Sequence, residues 1–327
     1  MKVAVLGGTR FIGRAASEQL LDAGHDVLLI HRGEHEPESL DRARHLHVDR
    51  KDIAEARAAI ADFRPEVAID TRAMTRAEAE VALAAWPSRA RLVVLSSCDV
   101  YRAYTSRDAG VVTDMVPLDE SAPLRPERFP HRGQYPGMDD YEKLDVEELY
   151  LARGATVMRL GFVYGPHDLQ RREELILRRL RAGRGRIPVG AGTWLLSRCF
   201  VRDAASAICL AAGSERVAGE VFNVVESRSP TVRLWLEEIL HAAGSGAELV
   251  RVPDSRLPAD MLMTAAIAQP LLFDSAKARA MLGWTETDPA AAVAESVAWH
   301  LAHPPKDAST DFSEDDAALA GVQVKSW

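Results

Sequence analysis

Short apolar runs alternate along the first half of the chain with longer segments whose apolar residues recur at helical spacing. Continuous apolar runs are typical of parallel strands that are buried on both faces. Their alternation with helices indicates βαβ units. The strands are predicted near 3–6, 27–30, 45–48, 67–69 and 92–95, and the helices near 11–23, 52–61 and 76–85. The pattern therefore predicts an α/β fold with a parallel sheet covered by helices on both faces.

The second half begins with a segment of a different character. Residues 103–138 are rich in proline, glycine and charge, which predicts a long irregular segment, and such loops are often functional. Beyond it, a strand is predicted at 156–160 and helices at 139–152, 170–182, 203–213, 231–243, 275–282 and 288–302. The polar, acidic tail after Pro304 is expected to be loosely ordered.

Composition and charge narrow the class of protein. The net charge of −8 over 327 residues argues against broad electrostatic binding to nucleic acid or to an anionic membrane. The cysteines Cys98, Cys199 and Cys209 form no CxxC pair, as is typical of a reducing compartment. No apolar stretch has the length of a membrane span or of a signal-peptide core. We expect a soluble, cytoplasmic protein that binds neither membrane nor nucleic acid.

A glycine-rich loop joins the first predicted strand to the first predicted helix. A glycine allows the tight turn, and the missing side chains let the backbone approach a pyrophosphate at the positive end of the helix. This context is the one that a dinucleotide-binding fingerprint requires. The sequence therefore predicts NAD(P) binding through this loop. Its residues are Gly7, Gly8, Thr9, Arg10, Phe11, Ile12 and Gly13, and we expect cofactor contacts from all of them except Gly8.

The type of cofactor is indicated by the charges beside this loop. The second strand ends in Ile30-His31-Arg32, where NAD-specific sites usually place a carboxylate for the ribose hydroxyls. Arg10 and Arg32, with no carboxylate at this strand end, favour the 2′-phosphate of NADP. NAD remains the alternative, in which Arg32 is only a solvated charge at a strand end.

Five further segments follow the loop in the order known from one family. They are Ser96-Ser97-Cys98-Asp99-Val100-Tyr101, Arg159-Leu160-Gly161-Phe162-Val163-Tyr164-Gly165-Pro166, Phe200-Val201-Arg202-Asp203-Ala204-Ala205, Phe222-Asn223-Val224 and Leu282-Gly283-Trp284. Together they resemble the motifs of the extended short-chain dehydrogenases, the NAD-dependent epimerase/dehydratase group. The glycine loop further resembles that of an atypical branch, which includes the chloroplast stem-loop-binding proteins.

The resemblance implies a Rossmann doubly wound parallel sheet with a smaller C-terminal α/β substrate-binding lobe. The implied cofactor domain is 1–165 plus 198–230, the lobe is 166–197 plus 231–303, and 304–327 is an acidic tail. The implied activity is that of an NAD(P)-dependent oxidoreductase or epimerase/dehydratase. Its substrate would be a small, sugar-like or nucleotide-linked metabolite that reacts at a carbonyl or hydroxyl carbon. A homodimer is also implied. Asp49 occupies the position that contacts adenine in the family; an Asp49–Arg50 ion pair is the alternative.

Active members of this family use a serine, a tyrosine and a lysine four residues after the tyrosine. The tyrosine transfers the proton, and the lysine lowers the phenol pKa and holds the nicotinamide ribose. Ser97 matches the serine. Tyr141, however, is followed four residues later by Asp145. Aligning Lys143 with the family lysine, as its K-x-x-x-E pattern indicates, places Asp139 at the tyrosine position.

Both alignments cannot hold on one regular helix, because residues two apart point to different sides. In one interpretation Lys143 steadies the ribose while a tyrosine comes from elsewhere, either Tyr141 at a frayed helix start or Tyr135. In another, Asp139 is itself the acid or base. In a third, Asp139 and Lys143 form a surface ion pair. The rival to an enzyme is a catalytically degenerate NAD(P)-binding sensor or an RNA-binding protein.

Two further features concern possible ligands. Phe162 replaces the asparagine that nucleotide-sugar enzymes of the family carry, which argues against a nucleotide-sugar substrate. Residues 171–186 hold seven arginines and two glutamates, which indicates a phosphate or RNA site or simply a solvated helix face.

Four histidines lie close together in the sequence, but without a spacing typical of metal ligands supported by carboxylates or cysteines. They are His31, His35, His45 and His47. We interpret them as loop and strand-end residues, and no metal is predicted.

Overall fold

The computed structural model describes residues 1–322. Its strands are β1 (Lys2–Leu6), β2 (Asp26–His31), β3 (Arg44–His47), β4 (Val67–Asp70), β5 (Arg91–Ser97), β6 (Thr156–Leu160), β7 (Phe162–Tyr164), β8 (Arg186–Val189), β9 (Arg198–Phe200), β10 (Val221–Val224) and β11 (Glu248–Arg251). Its α-helices are α1 (Phe11–Asp22), α2 (Arg57–Phe63), α3 (Arg76–Ala85), α4 (Arg102–Asp108), α5 (Lys143–Leu151), α6 (Glu174–Arg181), α7 (Val201–Gly213), α8 (Val232–Ala242), α9 (Ala276–Leu282), α10 (Pro289–Ala302) and α11 (Ser313–Leu319).

Seven parallel strands form the central sheet in the order β10-β6-β5-β4-β1-β2-β3. The predicted Rossmann topology is therefore confirmed. The order reverses between β1 and β4, and ligands of such sheets bind at the carboxyl ends of the strands beside this reversal. A ligand site is therefore expected at the carboxyl ends of β1, β4 and β5.

Six strands of this sheet are largely buried on both faces, as their apolar runs predict, whereas the edge strand β3 is exposed or half-buried. In β1, Val3 and Val5 belong to the core cluster that also includes residues of α1 and α7. Ala4 and Leu6 belong to a second cluster, which includes residues of α2, α3 and α5. Alternate side chains of one strand therefore hold helices on opposite faces.

The C-terminal half contains two small parallel sheets, β8 with β11 and β7 with β9. These strands have only three or four residues each, too few to show a pattern in the sequence. The predicted helices of this half agree with α6 to α10 within a few residues. The division of the chain into a cofactor domain and a lobe stays a prediction.

One helix start and the tail differ from expectation. The helix predicted at 139–152 begins only at Lys143, because Glu142 adopts an extended backbone and its side chain accepts the Leu144 N–H. The tail expected to be loosely ordered contains α11, whose Asp315 is buried against Arg179. Residues 323–327 of this tail lie outside the described residues. Within 1–322, the helices are too short or too polar to cross a lipid bilayer.

Candidate active site

The glycine loop folds tightly against the start of α1. Gly7 has a φ of +86°, which favours glycine. A Cβ on Gly13 would lie 2.3 Å from the carbonyl oxygen of Gly7, a backbone atom that cannot move aside. Ser17 Oγ donates to the carbonyls of Gly8 and Gly13 at 2.9 and 2.8 Å, which ties the loop to the helix. The loop is thus a compact backbone cradle of the shape that suits a pyrophosphate.

The remaining predicted residues of the loop differ in exposure. Arg10 is exposed at the extended position just before α1, and Thr9 is buried. Phe11 and Ile12, which open the helix, are half-buried. Arg10 is therefore the loop side chain best placed to meet a charged group in solution.

Arg32 and Asp49 lie at the ends of β2 and β3. Arg32 is exposed and pairs with Glu34 at 2.8 Å. Asp49 accepts the N–H of Lys51 at 3.1 Å and begins a short turn. The alternative of an Asp49–Arg50 ion pair is wrong, because Arg50 pairs instead with Asp70 at the end of β4.

Asp70 is fully buried between Arg50 and the Tyr150 hydroxyl, which donates to it at 2.5 Å. Burial acts to raise the pKa of Asp70, but the Arg50 guanidinium outweighs it and holds that pKa below its usual value. The buried Asp70 carboxylate, with its partners Arg50 and Tyr150, therefore holds β4 and α5 together beneath the glycine loop.

The predicted serine and one predicted tyrosine meet at the carboxyl end of β5. Ser97 is the last residue of β5, and its Oγ accepts the N–H of Asp99 at 3.2 Å. Tyr141 is buried, and its hydroxyl donates to Asp99 Oδ2 at 2.6 Å. Burial, and then the Asp99 carboxylate, raise the pKa of Tyr141 well above its usual value, while a hydrogen bond with Ser97 acts the other way.

Two side chains at the carboxyl end of β5, those of Asp99 and His131, were not predicted from the sequence. Asp99 is buried, and its Oδ1 accepts no hydrogen bond from any residue between 1 and 322. His131 packs on Tyr141 with ring centroids 4.9 Å apart, and its Nε2 lies 3.8 Å from Asp99 Oδ2. Asp99 stands inside the Ser96–Tyr101 motif, which was a usable signal. His131 lies in the irregular segment 103–138, where no pattern marks it.

Lys143 lies between the carboxyl ends of β4 and β5. Its Nζ donates to the carbonyls of Ala73 and Leu95 at 2.6 and 3.0 Å, and burial lowers its pKa to about 8. Thr71, two residues before Ala73, donates to the Gly7 carbonyl at 3.1 Å. The lysine therefore lies one short loop away from the glycine cradle.

Asp139 is exposed in a turn before α5, where its carboxylate accepts the N–H of Gly133 at 2.8 Å. The third interpretation, an Asp139–Lys143 ion pair on a helix surface, is wrong, because residue 139 is not helical and the lysine points into the protein. The structure brings Ser97, Tyr141 and Lys143 to one region. It leaves Asp139 in the solvent, along with Tyr135, whose side chain is 57% exposed.

The arginines of 171–186 are engaged with partners on the same chain. Arg179 is fully buried between Asp260 and Asp315. The others bind carboxylates or backbone carbonyls: Arg171 with Glu174, Arg172 with Asp168, Arg178 with Asp260, Arg181 with Glu174, Arg184 with Asp316 and Arg186 with the Val322 carbonyl. This segment is therefore an ion-paired structural element.

The sequence pattern of the NAD dependent epimerase/dehydratase family matches residues 3–224. This chain belongs to that family. The match contains the glycine cradle, Ser97, Tyr141 and Lys143. A chloroplast stem-loop binding protein of 41 kDa from Arabidopsis thaliana is 30% identical over 239 residues, which are 68% of this chain and 58% of that protein. The aligned part thus spans less than two thirds of the length of that relative.

Several solved structures share the fold. The dTDP-glucose 4,6-dehydratase of Bacillus anthracis, in complex with NAD, has a TM-score of 0.71 at 17% identity, covering 93% of this chain and 97% of its own. The UDP-glucose 4-epimerase of Thermotoga maritima, with UDP-glucose, has a TM-score of 0.68 at 19% identity and covers 92% and 99%. A Burkholderia cenocepacia protein described as an epimerase has a TM-score of 0.69 at 23% identity and covers 91% and 97%. At these identities the likeness establishes the architecture.

Proposed function

We propose that this chain is an NAD(P)-dependent oxidoreductase or epimerase/dehydratase that acts at a hydroxyl or carbonyl carbon of a sugar-like or nucleotide-linked metabolite. The observation that carries the proposal is the buried Tyr141–Asp99 hydrogen bond, which lies beside Ser97. A buried acid–base pair with an unsatisfied carboxylate oxygen is costly to keep in a fold, and such groups concentrate at functional sites.

The cradle formed by Gly7, Gly8 and Gly13 fits the pyrophosphate of the dinucleotide, and Lys143 fits its nicotinamide ribose. When bound, the nicotinamide exchanges a hydride with the reacting carbon of the substrate. Lys143 offers a cationic or neutral amine between β4 and β5, depending on pH, because burial lowers its pKa to about 8. Ser97 orients the substrate oxygen by hydrogen bonding.

Tyr141 moves the proton in this proposal, with Asp99 in the place of the missing lysine partner. Because its pKa lies well above the usual value, Tyr141 does not hold a free phenolate at neutral pH. It takes the proton of the substrate hydroxyl while its own proton passes to Asp99 Oδ2, 2.6 Å away. One proton enters the phenol oxygen and one leaves it, so Tyr141 acts as a relay and Asp99 as the base.

We further propose that NADP is preferred to NAD. The exposed guanidinium of Arg32 follows the last residue of β2, and Arg10 stands at the head of α1. A 2′-phosphate is well matched by such arginines, because charge-assisted hydrogen bonds to phosphate are strong.

The test combines cofactor and substrate. Native mass spectrometry of the purified chain identifies the dinucleotide retained. The protein is then incubated with a panel of free sugars, sugar phosphates and nucleoside-diphosphate sugars, and the products are analysed by chromatography and mass spectrometry for epimers, loss of water or oxidation. Turnover that Ser97→Ala abolishes supports the proposal. Retention of a dinucleotide with no conversion, or conversion that is equal in Ser97→Ala, contradicts it.

RNA binding receives no support from the arginines of 171–186, because they are already paired within the chain. The Arabidopsis relative is named a stem-loop binding protein, so binding of a stem-loop RNA is the rival function to include in the same test. Salt-sensitive binding of a stem-loop RNA without any turnover would favour that rival.

A further inference from the structure

A cluster of three histidines and one glutamate lies at the outer edge of the central sheet, away from Ser97 and Tyr141. His31 ends β2, His45 and His47 lie on the edge strand β3, and Glu36 belongs to the connection between these strands. One possible ligand atom from each of the four residues lies within 4.8 Å of those of the others. We call these four residues the histidine cluster.

Strand pairing explains why residues distant in sequence meet here. His31 is the register partner of His47 in the parallel pair β2–β3. His45 lies two residues before His47, so both side chains leave β3 on the same face. We predicted no metal site because the histidines lack a metal-ligand spacing along the chain. Their proximity across two strands does not appear in that spacing.

His45 is oriented as a metal ligand whose second ring nitrogen is held by a backbone carbonyl. His45 Nε2 donates to the Leu40 carbonyl at 3.2 Å, which leaves Nδ1 as the nitrogen with a free lone pair. That Nδ1 lies 2.8 Å from His31 Nε2. Ligating histidines usually bind a backbone carbonyl or a carboxylate through the other ring nitrogen, which fixes the tautomer.

The fourth donor is a carboxylate in direct reach of the rings. Glu36 Oε1 lies 2.5 Å from His47 Nε2 and 3.9 Å from His31 Nε2. The cluster thus supplies three imidazole nitrogens and one carboxylate oxygen, which is a complete tetrahedral set for a borderline metal ion.

We propose that the histidine cluster binds a divalent zinc-like ion through His31 Nε2, His45 Nδ1, His47 Nε2 and Glu36 Oε1. The ion takes the place of the proton shared between His31 and His45. That proton moves to His31 Nδ1, so the hydrogen bond donated by the Gly33 N–H at 3.1 Å must break. Gly33 lacks a side chain, and its peptide can turn to allow this change.

The proposed role of the ion is structural. All four ligands come from the protein, and sites of this closed kind stabilise a fold rather than activate water. The ion would fasten the 32–43 connection to the edge strand β3, immediately beside Arg32. This inference is independent of the proposed enzymatic function, and either can fail alone.

The experiment uses the full chain after removal of any affinity tag. Chelator-treated protein is titrated with Zn²⁺ by calorimetry, and the metal retained after gel filtration is measured by mass spectrometry. Co²⁺ is added as a spectroscopic probe, because its absorption reports a four-coordinate site. We expect one ion per chain, together with a higher melting temperature.

Two single variants and a matched control locate the site. His45→Gln and His47→Gln should each weaken Zn²⁺ affinity by about 100-fold or more, since even outer contacts of a metal site are worth about 10- to 100-fold. His35→Gln, an exposed histidine of the same connection outside the cluster, should bind as the wild type does. Circular dichroism of the metal-free proteins checks that each variant folds. Equal Zn²⁺ binding by wild type and both cluster variants would overturn the proposal, and so would the absence of stoichiometric binding by the wild type.

Discussion

The Tyr141 hydroxyl donates a hydrogen bond of 2.6 Å to Oδ2 of Asp99, a residue that lies two positions after Ser97 in the chain. Four residues after Tyr141, where a catalytic tyrosine would be followed by a lysine, this chain has Asp145. Lys143 lies two residues after Tyr141. The acceptor for the phenol proton therefore comes from the end of β5 and not from the next turn of a helix. In the proposed mechanism, proton transfer through Asp99 would therefore be separate from ribose binding through Lys143.

The first prediction follows from that relay. Tyr141→Phe removes the proton-carrying oxygen and should lower kcat by about 10²- to 10⁴-fold, the usual contribution of general acid–base catalysis. Asp99→Asn should lower kcat comparably, because it removes the base but keeps the shape. Both are measured by initial rates with the substrate found in the panel, alongside dinucleotide affinity, which should change little.

The matched control is Tyr135→Phe. Tyr135 also packs against His131, with ring centroids 5.5 Å apart, but it is exposed. Full activity in Tyr141→Phe combined with a loss in Tyr135→Phe would transfer the role to Tyr135, the other candidate that the sequence offers.

The second prediction concerns the cost of keeping Lys143 buried. Its folded pKa of about 8 lies below the ordinary value of 10.5, so the charged form is disfavoured in the folded state. This destabilisation is largest below about pH 8 and fades as pH rises toward the ordinary value. Lys143→Met should therefore show its most favourable unfolding free energy, relative to wild type, near about pH 7. That advantage should shrink by about pH 10.

Urea denaturation of both proteins at several pH values measures this difference, with the exposed Lys306→Met as the control. The same Lys143→Met protein should bind the dinucleotide more weakly. A difference in unfolding free energy that stays constant with pH would show that burial does not perturb Lys143.

How much of this site follows from the sequence depends on the distance over which its residues interact. The glycine cradle is local, because Gly7 and Gly13 lie on one strand–loop–helix unit, and its prediction needs only the alternating pattern around it. Ser97 follows from the end of an apolar strand. The start of α5 does not follow, because Glu142 is held in an extended conformation by Arg125 and Arg128.

The groups that escaped prediction depend on contacts between distant segments. His131 reaches Tyr141 from an irregular segment, and its position there is set by packing. The histidine cluster depends on the register of β2 and β3, which no spacing along the chain reveals. Strand register and loop packing, more than element type, are therefore what the sequence pattern leaves undetermined.

The third prediction tests the cofactor preference. Arg32→Ala should weaken NADP binding by about tenfold and leave NAD binding nearly unchanged, because only NADP carries the 2′-phosphate that the guanidinium is proposed to contact. Dissociation constants for both dinucleotides come from fluorescence or calorimetric titration. Arg42→Ala is the control, since Arg42 is an exposed arginine of the same region that pairs with Asp22. An equal loss for both dinucleotides would contradict a 2′-phosphate contact.

The fourth prediction rests on Glu173, which is buried with its Oε2 3.2 Å from His300 Nε2. Burial raises the pKa of Glu173 to about 7 and lowers that of His300 to about 4, so both are largely neutral in mildly acidic solution. A raised carboxyl pKa contributes stability at low pH that is lost as pH rises through about 7. Glu173→Gln should therefore gain stability relative to wild type between about pH 6 and about pH 8.5.

Thermal unfolding at these pH values measures the effect. Glu174→Gln is the matched control, because its carboxylate pairs with Arg171 and Arg181, and it should show no gain over this range. The opposite trend for Glu173→Gln would indicate an ionised Glu173–His300 pair.

The fifth prediction concerns the tail, which the sequence indicates to be loose and the structure shows to be docked. Arg179 has no exposed side-chain surface, and Asp315 accepts its Nε and Nη2 hydrogens at 2.7 Å each. Asp315→Ala removes one of the two carboxylates that pair with the buried guanidinium and leaves Asp260 and the Leu175 carbonyl. It should reduce the unfolding free energy by about 3 kcal/mol, as expected when one partner of a buried pair is removed. Asp316→Ala on the same helix removes only an exposed partner of Arg184 and should cost less than about 1 kcal/mol. Urea denaturation of the two variants decides between a docked and a loose tail, because a loose tail would make their unfolding free energies indistinguishable.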